Sequence, residues 1–276
     1  VTGKLYLVAT PIGNLADLSP RAVEALREAA TVLAEDTRRT MTLLRAYAID
    51  TPLESFHEHN EDEKAERIVA RIRAGEVIAL VSDAGTPLVS DPGYPLLRHL
   101  RAERLTVVPI PGASAVILAL AASGLPPTPF TFWGFAPHRD GERRDFYSRV
   151  AASEMTAIVF ESPQRLVESL EAAREILGDV EATVAREMTK MHEELIHGTI
   201  GEILATLVAR DMVRGEITVV FAAAERKADE VPPTATLREE LERLRAGGMR
   251  RNDAIKALSE KYGMSRNDLY RLLTAE

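Results

Sequence analysis

Over residues 77–94 (VIALVSDAGTPLVSDPGY) two carboxylates, Asp83 and Asp91, arrive with three hydroxyls, Ser82, Thr86 and Ser90, and with two glycines. Carboxylates and hydroxyls at that density can move protons, orient a cation or hydrogen-bond a polar ligand. Such chemistry must be held in place, and the residues just before it supply the means. Val77-Ile78-Ala79-Leu80-Val81 is an apolar, β-branched run of strand length, the pattern of a strand buried on both faces. In open α/β sheets, ligands sit in the crevice beyond the carboxyl ends of such strands. The same residues would also make an elaborate strand-to-helix turn, since Gly and Pro are ordinary chain punctuation.

Other chemistries are excluded by type or spacing. No Gly-x-Gly occurs in the chain, which removes the dinucleotide fingerprint and the glycine-rich loop of ordinary methyltransferases; no Walker A is present either. Gly112-Ala113-Ser114-Ala115-Val116 lacks the second glycine of a nucleophile elbow. His192 and His197 stand five residues apart and cannot share a helical face as zincin ligands do. His57 and His59 could share a strand face, but no third ligand converges on them, so no metal is expected. With no cysteine, disulfides, thiolate zinc sites and cysteine nucleophiles are ruled out.

The 276 residues allow one to three domains and a sizeable core. No apolar run is long enough to span a bilayer, and the first residues run straight into a strand pattern without a signal-peptide shape. A cytoplasmic location is expected. The net charge of −8 argues against a protein that coats nucleic acid over its whole surface. The charge is uneven, however: residues 237–276 hold nine Lys/Arg against seven Asp/Glu, so this end is net +2 and the remainder −10. A polyanion contact is therefore expected at the C-terminal end or in a local groove.

Strand-like runs at 5–9, 32–34, 52–56, 77–81 and 105–110 alternate with helical spacing at 20–30, 41–47, 61–74, 94–102 and 113–123, implying βα units and a largely parallel sheet. Ser19-Pro20 reads as an N-cap with Pro at the first helical position, and Gly75 as a helix stop. A second α/β set follows the proline-rich turn at 124–129, with strands at 130–135, 156–160, 182–185, 194–197 and 217–222 and helices at 164–177 and 201–209. Residues 225–236 have linker composition. Beyond them the pattern is purely helical, with a turn at Gly263 and a capping-box-like Ser265-x-x-Asp268. The expected domains are thus 1–123, 124–224 and 237–276, joined to the last by 225–236.

Five ordered motifs carry a resemblance: Thr10-Pro11-Ile12-Gly13-Asn14-Leu15; Glu35-Asp36-Thr37-Arg38; Ser82-Asp83-Ala84-Gly85-Thr86-Pro87 with Ser90-Asp91-Pro92-Gly93-Tyr94; Pro111-Gly112-Ala113; and Ala185-Arg186-Glu187-Met188-Thr189-Lys190. Together they resemble the bacterial small-subunit ribosomal RNA (cytidine-2′-O)-methyltransferases, a branch of the tetrapyrrole methylase superfamily, over nearly the whole chain. The resemblance implies two α/β domains with S-adenosylmethionine in the cleft between them, a helical C-terminal domain, a homodimer, and a decoding-centre cytidine of 16S ribosomal RNA as substrate. It places Pro11, Asp83, Gly85, Thr86, Ser114 and Ala115 toward the cofactor in the first half. Glu161, Met188, Gly215, Glu216 and Thr218 follow in the second. Thr86 stands where the superfamily usually has Asp.

Moving a methyl group from a sulfonium to a ribose hydroxyl is helped by alignment and by a base or a lowered hydroxyl pKa. Within the family motifs Asp36, Asp83 and Glu187 are base candidates, and His57 a lower-ranked one. Arg38, Arg186 and Lys190 could hold phosphate or steady a developing alkoxide. Arg250, Arg251, Lys256, Lys261, Arg266 and Arg271 could serve RNA phosphates from the helical end. Each has a structural reading beside this one: Pro11 and Gly215 as turn residues, Ser114 as a helix start, Met188 as core, the charged groups as interface ion pairs, and the helical end as a docking bundle. Two rival functions keep part of the pattern, a tetrapyrrole (precorrin-type) C-methyltransferase and a non-catalytic RNA-binding or ribosome-assembly protein.

Overall fold

The structure, a computed structural model, describes residues 3–210, 212–224, 232–262 and 264–274. The chain clusters into two compact units, 1–223 and 224–276. In the first, five strands, β1 (Lys4–Val8), β2 (Thr31–Ala34), β3 (Leu53–Ser55), β4 (Val77–Val81) and β5 (Thr106–Ile110), alternate with α1 (Pro20–Glu28), α2 (Thr37–Ala46), α3 (Glu61–Arg73) and α4 (Tyr94–Ala102). The strands form an all-parallel sheet in the order β3-β2-β4-β1-β5.

The period of two in these strands feeds two cores. Tyr6, Val8, Val32, Ala79 and Val81 pack against Ala22, Ala25 and Leu26 of α1 and Leu43 and Leu44 of α2. Leu5, Leu33, Ile78 and Leu80 face the other way, onto Ile68, Val69 and Ile72 of α3 and Leu96 and Leu100 of α4. A strand buried on both faces must be apolar at every position, which is why 77–81 carries no polar residue. The helix ends follow the sequence signals: Ser19 accepts the Ala22 N–H at 3.1 Å, and Gly75, at φ +101°, closes α3.

The other half of this unit holds β6 (Phe130–Phe135), β7 (Thr156–Glu161), β8 (Glu181–Arg186), β9 (Glu194–Thr199) and β10 (Ile217–Phe221), with α5 (Ala115–Ser123), α6 (Asp140–Ala152), α7 (Leu166–Leu177) and α8 (Ile200–Val208). Its sheet, in the order β6-β7-β10-β8-β9, is mixed: only β6 and β7 run parallel. The helix α5 follows β5 in the chain yet packs on this second sheet, setting Val116, Ala119 and Leu120 against Ile158, Ala185 and Val220. On the opposite face the buried Tyr147 of α6 meets Phe221 and shares a 2.7 Å hydrogen bond with Ser169 of α7. No expected helix covered α6.

The second unit comprises α9 (Thr234–Ala246), α10 (Arg251–Tyr262) and α11 (Arg266–Thr274). Leu237, Leu241, Ile255, Leu258, Tyr262 and Leu269 make a core of their own. Ser265 accepts the Asp268 N–H at 3.1 Å, but the Asp268 carboxylate takes the Ser265 hydroxyl rather than its backbone N–H. The cap is therefore closed through one side chain. Of the expected linker, 225–231 lie outside the described residues, as does Gly263; 234–236 are already helix. No helix among the described residues is long and apolar enough to cross a membrane.

Candidate active site

The strand order sets β4 between β2 and β1, and β5 on the far side of β1, so the loops leaving their carboxyl ends lie side by side. They are tied together. Thr10 and Gly85 exchange backbone hydrogen bonds of 2.8 and 3.1 Å, Asp83 accepts the Asp36 N–H at 2.9 Å, and Thr86 donates its hydroxyl to Ala113 O at 3.2 Å. Gly85 sits at φ +87° with Ile12 only 3.3 Å from where a Cβ would stand. That left-handed backbone and close approach require glycine.

Beyond these loops lies a cavity of about 420 Å³ walled by both halves of the unit, within the range of small-molecule sites. From the first half come Asp83, Gly85, Thr86, Ser114 and Ala115; from the second, Glu161, Met188, Gly215, Glu216 and Thr218. Pro11 lines a smaller neighbouring cavity of about 190 Å³. Ser114 occupies the N-cap position of α5, but its side chain makes no capping hydrogen bond. Its hydroxyl is left to the cavity. Met188 serves both as wall and as packing for the α5 core.

The charged candidates are mostly engaged with one another. Asp36 caps α2, accepting the Arg38 N–H at 2.9 Å and the Arg38 guanidinium at 3.1 and 3.2 Å. These hydrogen bonds hold its carboxyl below the usual range. Glu187 accepts Lys190 Nζ at 2.7 Å and the Glu216 N–H at 2.9 Å, and Lys190 lowers its pKa. Lys190 also reaches Glu216 at 3.1 Å. Burial works against its charge, but Glu187 and Glu216 outweigh it and raise the ammonium. Arg186 pairs with Glu194 at 3.0 Å and donates to the Arg214 and His192 carbonyls. Arg38 is 90% exposed at its side chain.

His57 stands apart from the cavity lining. Its Nε2 lies 3.0 Å from Asn60 Nδ2 while Asn60 Oδ1 accepts the His57 backbone N–H, and its Nδ1 is buried with no hydrogen-bond partner among the described residues. Arg250 and Arg251 belong to the second unit and are exposed. Arg251 lies over the Tyr270 ring.

The cavity also holds residues to which the motifs assign no site role, although Asp91 stands within one of them. Arg39, not Arg38, lines both cavities and stands 3.7 Å from Asp83. With Asp36 as N-cap, one residue of helix turns Arg39 inward and Arg38 outward. Phe135 and Phe160 add an apolar wall, their rings 5.3 Å apart; the aromatic content of 130–135 was the available signal. Asp91 is the third. It lines the cavity, and burial first, then the charges of Glu35 and Asp83, push its carboxyl up to about 6. Glu35 is itself raised by burial and by Asp83 and Glu58.

A family model, that of the Tetrapyrrole (Corrin/Porphyrin) Methylases, matches residues 4–204. Proteins called Ribosomal RNA small subunit methyltransferase I are similar along the whole chain. The one from Synechocystis is 42% identical over 98% of this chain and 97% of its own length. The one from Xylella fastidiosa is 44% identical over 97% and 98%, and that from Bacillus subtilis 40% over 97% and 93%. Among solved structures, a diphthine synthase superposes with TM-score 0.63 at 16% identity, covering 98% of this chain and 99% of that one. A cobalt precorrin-4 methyltransferase does so with 0.59 at 16% over 79% and 94%. These last two share the fold. The chain belongs to the tetrapyrrole methylase family and, within it, to the group of the ribosomal RNA small subunit methyltransferase I proteins.

Proposed function

We propose that the protein transfers a methyl group from S-adenosylmethionine to the ribose 2′-oxygen of a decoding-centre cytidine in 16S ribosomal RNA of the small subunit. The observation that carries this reading is the pairing of full-length kinship with a cavity walled by ten of the eleven residues that the family motifs place toward the cofactor. The likeness to the precorrin enzyme, at 16% identity, supports no more than a shared fold.

The residues present fit the cofactor. Backbone at Asp83–Thr86 and Gly215–Thr218 borders the cavity, where Gly215 (φ +98°) leaves no room for a side chain beside Glu187. Apolar walls at Val116, Phe160, Met188 and Ile217 suit a flat heterocycle, while the Ser114 hydroxyl and the acidic rim suit the ammonium of an amino-acid end and the sulfonium beside it. Bound there, S-adenosylmethionine supplies an electrophilic methyl carbon. The protein's part is to align the hydroxyl with that carbon, to receive its proton and to keep water out. Lys190 steadies Glu187 and Glu216 at the rim, and the outward Arg38 is placed for RNA phosphate.

Incubating small subunits with enzyme and labelled cofactor, then mapping modified riboses, tests the reading; label on a base carbon or nitrogen, or none, would overturn it. A homodimer belongs to the same proposal. The helix α5 exposes Ile117 (52%) and Leu118 (41%) on the side away from its core, and clustered apolar surface marks an interface. Leu118→Glu is expected to give a folded monomer in sedimentation; an unchanged dimer, or a monomeric wild type, argues against this face.

A further inference from the structure

Every carboxylate lining the cavity except Asp91 already holds a cation or a backbone N–H, while Glu161 Oε2 is buried with no hydrogen-bond partner among the described residues. Asp83 holds the Asp36 N–H and faces Arg39, Glu216 is bound to Lys190, and Glu161 accepts Arg165 at 3.0 Å and the Ser162 N–H at 2.7 Å. Of the candidate bases in the family motifs, Asp36 and Glu187 are likewise tied to cations. Those contacts, Arg38 on Asp36 and Lys190 on Glu187, lower the proton affinity of the two carboxyls. Asp91 differs: among the described residues no Lys or Arg lies within ion-pair distance of it, and only the nearby Ser82 hydroxyl, which donates to Gly85 O at 3.2 Å, works against the rise of its carboxyl.

The loop that carries Asp91 is built against local preference. Leu88 (φ +75°), Ser90 (φ +66°) and Gly93 (φ +124°) all take the left-handed region, which costs a leucine and a serine energy and recurs where a side chain must be aimed. The loop is fixed at both ends. Pro87 is buried, the Gly93 N–H donates to Glu61 of α3 at 2.6 Å, and a Cβ on Gly93 would run into Leu88 and Leu80 at 2.8 and 2.9 Å. Its crest reaches the second half, where Ser90 Oγ lies 3.6 Å from the position of a Cβ on Gly134.

On the reading under Proposed function, we propose that Asp91 is the catalytic base, accepting the proton of the ribose hydroxyl as that oxygen is methylated. The atoms balance: the oxygen gains the methyl group, its proton passes to the Asp91 carboxylate, and the electron pair of the donor's sulfur–carbon bond stays with sulfur, which loses its positive charge. The charges that face Asp91 are Glu35 at the end of β2 and Asp83 after β4. Arg39 of α2 and Glu216 of the second half share its cavity, and Glu61 of α3 holds its loop. Burial first, and then two like charges beside it, keep its proton affinity up without a paired cation to lower it, as a base working near neutral pH needs.

The test is single-turnover methylation of small subunits across pH 5–9, with Asp91→Asn and Glu35→Gln, beside a carbon-13 titration of side-chain carboxyls in the full-length protein. Expected are a rate rising through a pH of about 6 in the wild type and, in Asp91→Asn, a fall of roughly a hundredfold or more at pH 7.5. Calorimetric affinity for the cofactor should be retained. Glu35→Gln, one like charge fewer, should move the rise and the matching carboxyl resonance to lower pH. If Asp91→Asn does not fold, the wild-type titration and the Glu35→Gln shift still decide. A resonance near 6 that survives Asp91→Asn, a rate that falls less than tenfold, or an unmoved profile in Glu35→Gln overturns the assignment. Wild-type enzyme that methylates no ribose overturns the functional reading beneath it, whereas a ribose-methylating wild type with an indifferent Asp91→Asn overturns the base alone.

Discussion

Gly215 shows how narrow the tolerances of the second half are. At φ +98° it takes a backbone conformation that side chains rarely adopt, and a Cβ there would stand 2.4 to 2.6 Å from the Glu187 side chain. Glu187, itself left-handed at φ +52°, cannot retreat without dropping Lys190 and the Glu216 N–H. Gly215→Ala should therefore destabilise the protein by about 1–3 kcal/mol and weaken cofactor binding, measured by thermal melting and calorimetry. An unchanged melt and affinity would mean that this corner gives way freely. The residue scale is also where sequence was least legible. Arg38 and Arg39 are chemically identical neighbours, and only the cap at Asp36 decides which one turns inward. Asp91 stood in plain view beside Pro92 and Gly93, but its distinction is the lack of a cation, a property of its surroundings in space.

At the scale of elements, β8 and β9 are clamped by Glu194, which Arg186 and Arg210 hold at 3.0 and 2.6 Å. Arg210 first, then Arg186, draw its carboxyl down to about 2. A depressed carboxylate contributes stability that is fully present above its ordinary value near 4.5 and is lost as pH falls from there toward 2. Glu194→Gln should thus be less stable than wild type at pH 7, with the gap narrowing below pH 4.5 and closing only toward pH 2 in urea titrations. A constant gap would assign the loss to packing. The strands themselves were legible because burial on two faces forces apolar, β-branched runs. The pairing direction in the second sheet was not, since alternation along one strand says nothing about its neighbour's direction. The helix α6 escaped notice because its buried face includes Arg143 (5% exposed) beside Phe146, Tyr147 and Val150, so its apolar stripe is broken by a charge.

For the whole molecule, charge divides with the units: the unit 224–276 carries a net charge of +1 and the unit 1–223 one of −9. The second unit keeps its own apolar core and presents Arg250, Arg251 and Arg266 exposed, while Lys261 is drawn into a pair with Glu240. Removing residues from Leu237 onward should weaken small-subunit binding and flatten its dependence on salt, because fewer counterions are released. Affinity for the cofactor should stay. Equal loss of both would make the unit a structural support.

The crossing of α5 from the first sheet to the second has a consequence for where this chain can be divided. The chain order suggests a cut in the proline-rich turn at 124–129, yet that would leave α5 on one fragment and its partners Ile158, Ala185 and Val220 bare on the other. A cut at 111–114, just before α5 begins, leaves the first sheet with both its helix layers and the second with its apolar cover. The junction between the two sheets' halves thus lies inside a loop that lines the cavity through Ser114, so a split enzyme is expected to reassemble only as that cavity closes.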